Sequence, residues 1–177
     1  AIFGIGVAAF FLVGYGFMFG GYSYVLHGYD FGYDHAVGSP LIGSGHWVFL
    51  WKGGFALTDL TGHAGGSGMY AGAVIGFFLY MVAFMDATAT IPTGAMAERW
   101  KWKSFVLWGF FCAGLWYPIF GAWTWGGGWL NQLGNSWHLG FGYVDFAGSG
   151  VVHAMGGVAA LAGIIVIGPR IGKFGED

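Results

Sequence analysis

Four apolar runs, each long enough to cross a bilayer, alternate with stretches rich in Gly, Tyr, Trp, His and Asp. Residues 1–20 carry no charged side chain and predict one membrane helix, since about 20 residues at 1.5 Å rise match a hydrocarbon core of about 30 Å. Residues 68–97 predict a second span whose unusual members are Asp86 and Pro92. A proline inside a membrane helix is tolerated where neighbours satisfy the freed carbonyl, so a kink near Pro92 is expected rather than an end. The charged turn Glu98-Arg99-Trp100-Lys101-Trp102-Lys103 leads into a third span over 104–124, and 148–168 forms the fourth. Between the spans, 21–67 is too polar to cross a membrane and too rich in glycine for a long helix, and 125–147 is a polar connection.

The chain of 177 residues is 56% hydrophobic and 8% charged, against roughly 25% charged in a soluble domain. So few charges cannot cover a water-facing surface, and the expected class is an all-α polytopic membrane protein. Net charge is −2 with no run of like charge, which argues against a nucleic-acid partner. Cys112, alone in an apolar run, has no partner for an intrachain disulfide and is expected as a small core residue. The sequence opens at Ala1 inside an apolar segment without a basic leader, unlike a signal peptide, and is read as a fragment of a longer chain.

Arg99, Lys101, Lys103, Arg170 and Lys173 fall on one side of these spans and only Lys52 on the other. Basic residues mark the cytoplasmic side, so 98–103 and 169–177 are expected inside, and 21–67 and 125–147 outside. Glycine and alanine recur four residues apart in the fourth span, at Gly150/Ala154, Gly156/Ala160 and Ala159/Gly163. Small residues at that spacing let membrane helices approach closely, which predicts a fourth span buried among helices.

His153 is the oddest residue of that span, because an ionisable group at membrane depth is functional or bonded to a helix carbonyl. Asp145, eight residues earlier, suits an N-cap whose carboxylate accepts from the first turn, and a continuous helix from there sets His153 about 12 Å deeper. Asp86 must pair, protonate or face water, and bonding to Thr88, Thr90 or a neighbouring helix is the structural alternative. Phe84 reads first as a packing aromatic. Tyr117, Trp123, Trp125 and Trp129 form either an interfacial belt or, in part, a site for a small cation held by ring faces. His27, Asp30, Asp34 and His35 match no defensible metal-ligand spacing. Neither an enzyme nor a bound cofactor is suggested.

Three runs, Phe84-Met-Asp-Ala-Thr-Ala-Thr-Ile-Pro-Thr-Gly-Ala-Met-Ala-Glu-Arg99, Trp125-Gly-Gly-Gly-Trp-Leu130 and Asp145-Phe-Ala-Gly-Ser-Gly-Val-Val-His153, closely resemble the ammonium transporter (Amt/MEP/Rh) family in order and spacing. The resemblance runs from about Met81 onward, with a looser match at Val13-Gly-Tyr-Gly-Phe-Met-Phe-Gly20. It implies a homotrimer in the plasma membrane with eleven helices per subunit, of which this chain supplies the second to fifth. It further implies ammonium or ammonia as the transported species, Trp125 in an outer recruitment site with Tyr80 as a second aromatic, and Phe84 as the outer gate phenylalanine. Asp145 becomes the structural aspartate below that site and His153 the first of two pore histidines. The second gate phenylalanine, the second histidine and a serine of the outer site belong to later helices of the family fold. Asp86, Pro92 and the long His-, Tyr- and Gly-rich outer segment depart from the family pattern. An ammonium sensor of the same fold with little flux is the alternative reading, and a PII-type regulator or a fused signalling domain is the cytoplasmic partner implied.

Overall fold

The computed structural model describes residues 1–21, 38–58 and 69–174. The four expected membrane helices are present: α1 (Ile2–Phe19), α2 (Met69–Ala95), α3 (Trp102–Trp123) and α5 (Ser149–Ile167), with a short α4 (Leu133–Trp137) between the last two. α1, α3 and α5 begin without a side-chain cap from their own N-cap residues. Their apolar length in a solvent that cannot hydrogen-bond is sufficient reason for helix. α2 runs through Pro92 and ends one turn later, with the Met96 N–H on the Pro92 carbonyl at 3.0 Å.

Three of the four spans contain a π-helical turn, at Phe10–Gly14 in α1, Cys112–Trp116 in α3 and Ser149–Ala154 in α5. In each, a backbone N–H reaches five residues back rather than four: Tyr15 to Phe10, Tyr117 to Cys112 and His153 to Gly148. The first two turns pack together, and Gly14 fits against Ala113 so closely that a Cβ there would lie 2.3 Å from the Ala113 carbonyl oxygen. Around this contact lies the core, where Phe10, Met18, Phe78, Met85, Cys112 and Tyr117 are buried. Cys112 is thus the core residue expected.

Among the described residues, 22% of α5 is buried, along a stripe where Gly156 meets Ile91 of α2 and Gly163 meets Met96 just after it. Its small residues permit close approach on that side only, and Val158, Leu161, Ile165 and Val166 stay exposed. The helix bundle carries one small addition outside the spans: an antiparallel hairpin, β1 (Ser39–Ser44) and β2 (Trp47–Lys52), pairs Ser39 with Lys52 and Ser44 with Trp47.

In β2 the alternation Trp47-Val48-Phe49-Leu50 sends Val48 and Leu50 inward and leaves Trp47 and Phe49 outward, the period of a half-buried strand. Val48, Leu50 and Trp51 pack on Ala122, with Phe17, Ile119 and Trp123 around them. The hairpin therefore sits on the ends of α1 and α3. Two bonds fasten it to the loop that follows α3, from the Trp51 indole N–H to the Gly126 carbonyl (3.0 Å) and from the Trp129 N–H to the Val48 carbonyl (2.9 Å).

Candidate functional site

Residues four apart share a helix face, so α2 presents Tyr80 and Phe84 together, their rings 5.0 Å apart and edge to face. α3 ends just beyond them. Its last turn gives way at Thr124, and Trp125 turns back so that its indole meets the Phe84 ring at 5.2 Å, inclined by 75°. That reversal depends on the glycines that follow. A Cβ at Gly126 would lie 2.1 Å from the Met18 carbonyl oxygen and one at Gly128 2.4 Å from that of Ala122. Backbone therefore lies against backbone where any side chain would intrude.

Asp145 holds the other side of Trp125. The indole N–H donates to the Asp145 main-chain carbonyl at 2.5 Å. The carboxylate is buried and accepts from the N–H groups of Gly148 (2.7 Å), Gly150 (2.9 Å) and Val151 (2.7 Å), with the Ser149 hydroxyl at 3.4 Å. It thus caps α5 from outside, while Gly148 is the residue at the N-cap position, with φ +93°. A continuous helix from Asp145 is therefore corrected. The segment 146–148 is non-helical, so His153 lies on the second turn of α5, about 6 Å along the axis rather than about 12 Å. Its side chain is exposed on the described surface.

Tyr80, Phe84, Trp125 and Asp145 are thus joined by ring contacts and hydrogen bonds, and His153 follows on the capped helix. Asp86 is not brought to this cluster. Two residues past Phe84 it projects to another face of α2, half-buried, with the Thr90 hydroxyl 3.4 Å from its carboxylate. Thr88 bonds the Phe84 carbonyl (2.9 Å) instead.

The expected aromatic belt divides. Trp123 and Trp129 pack with Phe49 at the hairpin, and only Trp125 reaches Phe84. Tyr117 is no belt residue: it is wholly buried beside Phe10, because the π turn before it directs it toward α1. Among the described residues no group of His, Cys, Asp and Glu could hold a metal ion, and His27, Asp30, Asp34 and His35 lie outside them.

The first-turn amides expected to hold the Asp145 carboxylate are those of Gly150 and Val151. Sequence reasoning missed two other supports of the site, Trp51 and Tyr143. The Tyr143 hydroxyl sits over Gly150, where a Cβ would lie 2.0 Å from it.

Four membrane-length helices, a partly desolvated aromatic cluster where two of them end, and a capped helix carrying a histidine define a polytopic membrane protein with a site at one end of its bundle. The chain belongs to the Ammonium Transporter Family, whose model matches residues 1–177. It is 41% identical over 155 residues to the ammonium transporter Amt2 of Archaeoglobus fulgidus, covering 81% of this chain and 31% of that protein. It is 38% identical over 156 residues to ammonium transporter 1 member 3 of Solanum lycopersicum, covering 88% and 30%. With ammonium transporter 1 member 1 of Arabidopsis thaliana it shares 39% over 149 residues, covering 82% and 27%. The chain therefore spans less than a third of the length of these curated relatives. No solved structure matches it significantly.

Proposed function

We propose that this chain contributes the outer recruitment site and one pore histidine of a membrane conductor of ammonium or ammonia. The observation that carries the reading is the position of Trp125, whose ring faces Phe84 at 5.2 Å while its N–H is held by Asp145. A small cation against such faces gains about 0.5–2 kcal/mol according to desolvation, which offsets part of the cost of leaving water. Tyr80 supplies a second ring and Phe84 the outer gate. Past the gate the path is apolar, and a bare cation crosses it only at high cost. A neutral imidazole donates from one nitrogen and accepts at the other, so His153 serves as one member of a proton relay. Asp145 acts by holding Trp125 and the head of α5 rather than by touching the ion. Asp86 contributes a polar position on the far face of α2. Homotrimeric assembly in the plasma membrane, with a PII-type or fused signalling partner on the cytoplasmic side, belongs to the same reading.

The test is methylammonium uptake by proteoliposomes carrying the full-length protein. Uptake that falls in Trp125→Leu and His153→Ala supports conduction. Ammonium binding at Trp125 without uptake would make the protein a sensor instead, and unchanged current and ion selectivity in His153→Ala would remove the relay.

A further inference from the structure

At the ends of α2 and α5 remote from Trp125, two arginines each bond the other helix. The Arg99 guanidinium, just after α2, donates to the Ala95 carbonyl of its own helix and to the Gly168 carbonyl that closes α5. Arg170, just after α5, donates back to the Gly94 carbonyl of α2 at 3.0 Å. The final carbonyls of a helix lack intrahelical donors and form the negative end of its dipole, so a guanidinium there meets both needs. One planar fork of Arg99 bridges the two helix ends at once, which an ammonium on a flexible stem does not reproduce. Glu98 precedes it at φ +70°, a left-handed conformation that only a constrained non-glycine residue keeps.

The side chains of Ile91 in α2 and Met96 just after it seat against Gly156 and Gly163 of α5, where a Cβ would lie 2.8 Å and 2.3 Å from them. These contacts bring the helices together, but dispersion is non-directional. The hydrogen bonds at the ends add a directional constraint on height. A slip of one residue, 1.5 Å, breaks the bridge at Arg99.

We propose that Arg99 and Arg170 are positioning residues that fix the axial register of α5 on α2, and with it the height of His153 relative to Phe84. The link to flux rests on the conduction reading above; the register itself does not.

Both are tested in the full-length protein. Cysteines replacing Met96 and Gly163, where the Met96 sulfur lies 2.3 Å from the position of a Gly163 Cβ, report register by disulfide formation in the membrane, and methylammonium uptake by the same Arg variants without those cysteines reports transport. Arg99→Lys keeps the charge and loses the two-carbonyl bridge. We expect it to cut disulfide yield and maximal uptake by about tenfold, as for a lost charge-assisted bond, with half-saturation unchanged because the Trp125 site is untouched. Arg170→Lys keeps its single bond to Gly94 and should match the parent in both. If Arg99→Lys fails to fold, Arg170→Ala carries the same test, with a smaller fall in both readouts expected. Unchanged disulfide yield in the variant that folds overturns the register role. A lost disulfide with normal uptake overturns the positioning role. If the unsubstituted protein takes up no methylammonium, the conduction reading fails while the disulfide result still decides the clamp.

Discussion

Trp125 touches Phe84 with its ring and Asp145 with its indole nitrogen, so one side chain ties the end of α3 to both α2 and the head of α5. The two contacts separate by mutation. Trp125→Phe keeps a ring against Phe84 and drops the 2.5 Å bond, which should lower stability by about 1 kcal/mol. Ammonium binding should weaken but persist. Trp125→Leu should abolish it, and paired thermal unfolding and ligand titration would read both effects.

Asp145→Ala removes the acceptor of three backbone N–H groups and leaves them buried. Because each unsatisfied donor costs about 1–3 kcal/mol, the loss should be about 3 kcal/mol or more. Asp145→Asn retains one carbonyl oxygen and should fall between the two. Thermal unfolding of the full-length protein in detergent gives the order.

Gly150→Ala places a methyl group against the Tyr143 hydroxyl, which lies 2.0 Å from the position of that Cβ. Overpacking of this kind costs about 1–3 kcal/mol. Tyr143→Phe removes the obstructing oxygen, so the double variant should be more stable than Gly150→Ala alone. Additive losses in a double-mutant cycle would show that the two sites do not communicate.

Trp51→Phe severs the hairpin's bond to Gly126, one residue from the site tryptophan. The expected loss is about 1 kcal/mol in stability. A weakened ammonium response should accompany it, since the glycine turn that aims Trp125 is then held by less. Intact binding with lowered stability would restrict the hairpin to folding.

The helices were legible because a span of about 20 apolar residues has one structural solution in lipid. The class and family were legible from three short runs in order. The hairpin was not, since the alternation in Trp47 to Leu50 covers four residues inside a glycine-rich stretch. The site was readable as residue types and not as geometry. Phe84 and Trp125 lie on different helices, and nothing local distinguishes Trp125, turned inward by Gly126 to Gly128, from Trp123 and Trp129 on the outer cluster. The fourth span was placed within a residue of its start, but Asp145 was read as its N-cap residue, because a carboxylate caps equally well from that position or from several residues ahead of it. Tyr117 was misassigned because an extra residue in the preceding turn rotates it, and such an insertion leaves no mark in composition.

That extra residue changes how α5 can be altered. A π turn is an α-helix with one residue inserted, and each residue of an α-helix advances about 100° around the axis. The wider turn takes up that residue, so removing one residue from Ser149–Ala154 would restore an α turn and leave the residues of Met155–Ile167 on the faces they now occupy. The stripe carrying Gly156 and Gly163 would stay on α2. The insertion is thus confined to one turn, and the direction of His153 within that turn is adjusted by chain length rather than by residue type.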